Sequence, residues 1–319
     1  MKSFIKILIF ICAVSILSCN NNKSDSDTGG ELKGRISISG AFALYPMAQK
    51  WGEEFMKLHP GVSIDISAGG AGKGMMDVLS GMVDLGMVSR EVKPEEIKKG
   101  AWYISVTKDA VLPTMNSSNP YMKEICKKGM TNEQFKKIFL TEKAITWGEI
   151  LGNNSGNKIS RYTRSDFCGA SEMWAKYLGK KQEDLQGTGV YGDPGMAEAV
   201  RNDKSGIGYN NVIYAYDLKT RKVNQGIAVI PVDINSNGML DKGEMFYDNL
   251  DSLMNAVKNG IYPSPPAREL YFVSKGKPEK RIVTEFLKFI LKEGQRYVKE
   301  SGYVNLSEKR LQEESDKIR

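Results

Sequence analysis

The sequence predicts an α/β fold built on a parallel sheet. Three observations carry that reading. Short β-like runs alternate with amphipathic stretches from about Arg35 onward. Glycine- and proline-containing breaks separate them. Apolar residues make up 41% of the 319 positions, enough to build real cores and too many for a disordered chain. The first run, RISISG at 35–40, sets Ile36 and Ile38 on one face and Ser37 and Ser39 on the other, the period of a strand. A helix is expected after Pro46, with Met47, Ala48, Trp51, Phe55 and Leu58 on its apolar face. Pro60-Gly61 stops it, and VSIDIS at 62–67 is the next strand. A glycine-rich turn, AGGAGKG, leads into a helix carrying Met75, Val78, Leu79 and Met82, and VDLGMVS at 83–89 is a buried strand.

The pattern continues with a long strand, YISVTKDAVLPTMN, and changes character after Asn119-Pro120. TNEQFKKIF is a helix capped by Thr131, with Gln134 three residues on. KISRYTR is a strand, SDFCGAS a turn, and EMWAKYLG a helix ended by Gly179. GIGYNNVIYAYD is rich in glycine and aromatics, IAVIPVDI and LYFVS are strands, and the stretch 278–294 is a strongly amphipathic helix with Ile282, Val283, Phe286, Phe289 and Ile290 on one face. The chain has no internal repeat.

Composition removes several function classes. The 45 Lys+Arg exceed the 38 Asp+Glu by seven, a small and dispersed excess that does not mark a nucleic-acid binder. The single histidine, His59, excludes His-rich zinc sites and argues against a Ser-His-Asp hydrolase. Ser89 and Cys168 have no general base nearby in sequence, and His59 lies next to Pro60 at a helix end, so no enzyme is expected.

Residues 1–18 read as a secretory leader: Lys2 and Lys6 precede an apolar run too short to remain as a membrane span. The sequence Ile16-Leu17-Ser18-Cys19 looks like a bacterial lipobox, which implies cleavage before Cys19 and lipid attachment to its sulfur. Residues 19–33 are polar and Gly/Ser-rich, a flexible tether. These features place the protein in the cell envelope, on the periplasmic side or the cell surface. Spacing leaves open whether Cys126 and Cys168 pair.

Three segments share one design of strand, small-residue turn and helix: SGAFALYPMAQKW, SAGGAGKGMMDVL and RSDFCGASEMWAKYL. Each offers free backbone N–H groups at a helix N-terminus, where an anion is favoured. Arg90 follows the strand at 83–89 and Arg164 precedes the third turn, and guanidinium forks match tetrahedral oxyanions. A surface ion pair, such as Arg164 with Asp166, is the alternative use of either arginine.

This set, with TWGEILG and GIGYNNVIYAY, resembles the periplasmic phosphate-binding proteins of ABC transporters over about residues 35–300. The resemblance implies a two-lobed Venus-flytrap of the type II periplasmic binding proteins, with a discontinuous first lobe: 34–113 and 262–319 in lobe 1, and 114–261 in lobe 2. It implies phosphate or a related oxyanion as ligand, an ABC permease as partner, and a monomer. Carried over by position, the first anion loop falls on Ala41, Phe42 and Ala43, the second on Ala71 and Gly72. The next pair is Ser89 and Arg90, and the third loop is Arg164, Cys168, Gly169 and Ala170. Ala41, Phe42, Ala71, Cys168 and Ala170 stand where the family usually has hydroxyls. A hydrogen bond to a charged group is worth about 1.5–3 kcal/mol, so weaker or less selective phosphate binding is expected unless a group such as Lys73 substitutes. Arg90 stands where some members have a proton-accepting aspartate, which opens the choice among phosphate, sulfate and organophosphates.

A second motif is independent of that family. Residues 233–244, DINSNGMLDKGE, set Asp233, Asn235, Asn237, Gly238, Asp241 and Glu244 at positions one, three, five, six, nine and twelve of a calcium loop, with the Met239 carbonyl at seven. A strand rather than a helix precedes it, so a structural Ca2+ that staples a connection is expected, not a paired sensor. The alternative is a polar Asn-Gly turn. The leading reading is a lipid-anchored solute-binding protein of an ABC importer; the second is a calcium-stabilised anion-sensing or surface module with no transporter.

Overall fold

The computed structural model describes residues 30–319; the leader, Cys19 and most of the tether lie outside them. The alternation seen in sequence forms β1 (Gly34–Gly40), α1 (Tyr45–Leu58), β2 (Val62–Ala68), α2 (Ala71–Leu79), β3 (Leu85–Val88), α3 (Pro94–Lys98) and β4 (Ala101–Asn116). β1 pairs in parallel with both β2 and β3. α2 ends at Leu79, with Gly81 at φ +78°, so Met82 leaves the helix face and is exposed instead of packed. α1 buries Met47, Ala48, Trp51 and Phe55, four positions on one stripe. Full burial of each large side chain is worth about 1.5–3 kcal/mol.

The chain then forms α4 (Met122–Lys128), β5 (Met130–Thr131), α5 (Asn132–Leu140), α6 (Trp147–Leu151), β6 (Ser160–Arg164), α7 (Gly169–Tyr177), β7 (Thr188–Val190), α8 (Gly192–Asn202), β8 (Gly206–Asn211) and α9 (Val212–Ala215). Thr131 caps α5 as expected, its hydroxyl accepting from the Gln134 N–H while the Gln134 side chain accepts from the Thr131 N–H. The stretch IAVIPVDI is not one strand. It breaks at Ile230-Pro231, where proline cannot donate to a ladder, into β9 (Ile227–Val229) on β4 and β10 (Val232–Asp233) on β5. The rest is α10 (Leu250–Lys258), β11 (Ala267–Lys275), α11 (Arg281–Leu291) and α12 (Glu308–Ile318).

One nine-stranded sheet runs β2-β1-β3-β11-β4-β8-β6-β7, with β9 also on β4. Among the described residues, β4 and β11 pass between the two hydrophobic cores, and the C-terminal segment touches both at Tyr303 and Val304. Val106 belongs to the first core and Ala110 to the second; Ala267 belongs to the second and Leu270 to the first. The two strands therefore change cores near 107–109 and 268–269. α11 returns to the first core, where Phe286 and Phe289 pack on Phe55 with ring centroids 5.2 and 5.5 Å apart.

At the crossing, Asp109 and Arg268 are cross-strand partners. The guanidinium donates to both carboxylate oxygens, at 2.8 and 3.1 Å, and both side chains are almost wholly buried. Burial pushes the Asp109 carboxyl up from its ordinary value, and Arg268 opposes this. Arg268→Ala strands that carboxylate in the interior, and a loss of about 3–5 kcal/mol is expected, read as a lower urea midpoint at unchanged m-value. Because the folded pKa of Asp109 lies above the unfolded one, the folded state binds the extra proton. The deficit is therefore largest at neutral pH and shrinks as pH falls toward the ordinary carboxylate range.

Candidate functional site

The three predicted anion loops meet between the lobes. The turn 41–43 joins β1 to α1. Gly40 precedes it at φ +133°, and a Cβ there would lie 2.3 Å from the Met87 carbonyl oxygen, so only glycine lets β1 end this close to β3. Ala71 and Gly72 open α2. Gly169 and Ala170 open α7, which starts inside the segment read from sequence as a turn, because Cys168 caps it: its Sγ accepts from the Ser171 N–H at 3.5 Å. Among the described residues, the N–H groups of Phe42, Ala43, Ala71, Gly169 and Ala170 donate to no protein acceptor. The Gly72 N–H does not share this freedom, since it donates to the Phe167 carbonyl across the cleft at 3.2 Å.

Arg164, at the end of β6, has no exposed side-chain surface. Its Nε and Nη2 donate to Asp166 at 2.8 and 2.7 Å. Its Nη1 lies 2.9 Å from Asp193 Oδ2, so a second buried carboxylate faces the same guanidinium. Burial alone lowers the Arg164 pKa, but Asp193 and Asp166 outweigh it and hold the group permanently charged. The Phe42 ring lies 5.7 Å from the guanidinium and 5.9 Å from the Tyr191 ring. The loop is set by Tyr209, buried against Trp174: the Arg164 N–H donates to its hydroxyl oxygen at 3.2 Å, and that hydroxyl also bonds Ser171 and Thr163. Burial pushes the Cys168 thiol up, so at neutral pH it keeps its proton and can donate where the family places a hydroxyl.

Arg90 is placed differently from the expectation. Its guanidinium forks onto Glu96 at 2.9 and 2.6 Å, donates to the Glu91 carbonyl, and reaches Glu172 of α7 at 3.2 Å. Three of its acceptors lie within six residues of it, and the fourth, Glu172, reaches it from across the cleft. Lys93 joins Glu172 at 3.6 Å, and Lys176 joins Glu91 at 3.0 Å. Lys73, a candidate to replace lost hydroxyls, is paired with Asp77. It lines a groove of about 460 Å³ at the cleft edge with Arg90 and Phe167. Ser89 is buried at the end of β3 and faces Gly169.

Sequence reasoning missed Asp193 and its support. Asp193 lies near the start of α8, and Asn211 donates to its Oδ1 at 2.6 Å. The segment VYGDPGMAEAV repeats the strand, small turn and helix of the other three loops, and that repetition was the available signal. Cys126 and Cys168 are both free thiols. No nucleophile and base come together here: His59 stacks on Phe55 at the end of α1. Among the described residues, no three His, Cys, Asp or Glu side chains gather as a preformed metal cluster, and no helix is long and apolar enough to cross a membrane.

The family model of the PBP superfamily domain matches residues 25–293. The chain belongs to that superfamily. It is 24% identical over 313 residues to the phosphate-binding protein PstS of Staphylococcus epidermidis, covering 96% of this chain and 90% of the relative. It is 26% identical over 290 residues to the protein of the same name from Staphylococcus haemolyticus, covering 89% and 85%. Among solved structures, a substrate-binding protein with bound phosphate from Clostridium perfringens superposes with TM-score 0.69 at 24% identity, covering 86% of this chain and all of that one. An ABC-type phosphate transport receptor from Vibrio cholerae gives 0.62 at 17%, covering 85% and all of that chain. These likenesses agree with the type II binding-protein architecture that the family resemblance implies. This is a binding protein and not an enzyme.

The lobes meet so closely at Gly169 that an added Cβ would lie 2.1 Å from the Ser89 carbonyl oxygen. Gly169→Ala is expected to hold the lobes apart while each still folds. Ligand affinity should fall about tenfold or more, and small-angle scattering should show a ligand-saturated variant more extended than the wild type.

Proposed function

We propose that this protein captures phosphate or a related oxyanion between its lobes and delivers it to an ABC permease, held at the membrane by lipid on Cys19. The observation that carries the ligand class is the convergence of unengaged N–H groups from three helix N-termini on the buried Arg164. The names of the Staphylococcus relatives support phosphate. One arginine here faces two carboxylates, Asp166 and Asp193. That balance favours an anion carrying a proton, because a free carboxylate lone pair attracts an O–H and repels a bare oxyanion.

Calorimetry with phosphate, sulfate and a phosphate monoester tests the reading. Arg164→Ala should cost about 2–5 kcal/mol of affinity for whichever anion binds. Affinities within twofold of wild type for every anion would overturn the assignment. In cells that carry the full chain, Cys19→Ala should shift the protein from the detergent phase to the aqueous phase in Triton X-114 partitioning, since the anchor is then gone.

A further inference from the structure

We propose that residues 233–244 form a calcium site that ties the second lobe together. The segment offers oxygen donors only: carboxylates at Asp233, Asp241 and Glu244, carboxamides at Asn235 and Asn237, and the Met239 carbonyl. The structure winds them around one centre. Asn235 and Asn237 both donate to Asp241 Oδ2, at 2.7 and 3.0 Å. Asp233 accepts from the N–H groups of Asn237 and Gly238 at 3.2 and 2.8 Å. Glu244 turns back across the loop to accept from Ile234, Asn235 and Asp241.

An independent observation points to a cation. Six carboxylate residues are buried among the described residues: Asp77, Asp109, Asp193, Asp233, Glu244 and Glu314. Four of them have a basic partner. Asp77 has Lys73, Asp109 has Arg268, Asp193 has Arg164, and Glu314 has Arg310 and Lys317. The two without a basic side chain in ion-pair range are Asp233, 1% exposed, and Glu244, 6% exposed. Both belong to this loop and both point into it. A buried charge is retained when it is paired or coordinates a metal, and here the protein supplies no side-chain cation.

The donor set selects the ion. With no sulfur or imidazole, it is a site for a hard cation. A bidentate glutamate at position twelve and a backbone carbonyl at seven give the six-to-eight-oxygen, irregular shell of calcium and not the strict octahedron of magnesium. Position nine often acts through water. The direct carboxylates are then Asp233 and Glu244 alone, in keeping with the lack of a three-carboxylate cluster. The Asn235 and Asn237 side chains are exposed, and entry of the ion exchanges their bonds to Asp241 for Oδ1 ligation.

The loop is built into the lobe. Asp233 pairs with Thr131, the cap of α5. The Val232 N–H donates to the Tyr247 hydroxyl, and the Tyr247 carbonyl accepts from Tyr216. Asn132 binds the carbonyl of Tyr177, the last residue of α7. The anion loop lies at the other end of that nine-residue helix, about 13 Å away. Calcium therefore stabilises the lobe without touching the ligand.

The test is titration of the purified chain with calcium and with magnesium, by calorimetry and thermal unfolding. The expected result is one calcium site per chain and a Tm rise of about 2–4 °C or more at about 5 mM calcium. Magnesium should give a much smaller rise, and phosphate affinity should change less than about twofold. Glu244→Gln and Asn237→Ala should each abolish the calcium shift. Asn237→Ala alters only an exposed side chain and so decides the matter if Glu244→Gln fails to fold. No calcium heat and no Tm change in the wild type would overturn the proposal. So would an equal response to magnesium, or a calcium shift that survives in a folded variant.

Discussion

A chain of buried charge and amide groups runs from the strand crossing to the cleft, and the arrangement of both depends on it. Asp109 on β4 grips Arg268 on β11; Arg268 also donates to Asn211, Asn211 to Asp193, and Asp193 faces Arg164, which forks onto Asp166. Every member is in the interior or nearly so. Each is held by its neighbours because none can return to water without the lobe opening, and removal of one link leaves the next charge uncompensated. The two strands that join the lobes and the arginine that faces the ligand are thus joined by one unbroken set of contacts.

The closed cleft is made by backbone as much as by side chains. Gly72 gives its N–H to Phe167 of the other lobe, Gly169 lies against Ser89, and Tyr214 of α9 donates to the Phe42 carbonyl at 3.3 Å. Contacts this close need positions without a Cβ. Around them, Arg90, Lys93 and Lys176 of one lobe or the other meet Glu91 and Glu172. The half-exposed pairs among these are individually worth little; the buried bidentate fork of Arg90 onto Glu96 stays within one lobe and orients the arginine toward Glu172.

The site departs from a hydroxyl-rich anion pocket in a consistent way. Ala41, Ala71 and Ala170 leave main-chain N–H groups as the main neutral donors, with the Cys168 thiol beside them. Main-chain donors at helix starts carry the partial positive charge of the helix and do not depend on side-chain rotamers.

Much of this was legible in the sequence. The βαβαβ order from β1 to β3, the Thr131–Gln134 cap and the apolar stripe of α11 follow from local periodicity and capping, which act over a few residues. The three anion loops were legible for the same reason, since a strand, a small-residue turn and a helix N-terminus lie side by side in the chain. What needed the tertiary structure was the set of distant charge partners; the pair of Arg164 with Asp166, two residues on, was open from sequence and forms, although buried and not on the surface. Arg90 and Arg164 look equivalent in sequence, yet Glu96 and Glu172 claim one while Asp166 and Asp193 claim the other. Asp109, Asn211 and Arg268 read as ordinary strand residues until β4 and β11 pair. Periodicity reports which face of an element is apolar. It cannot report which of many distant carboxylates will neutralise a buried guanidinium, because that choice is made by packing between segments 29 to 159 residues apart.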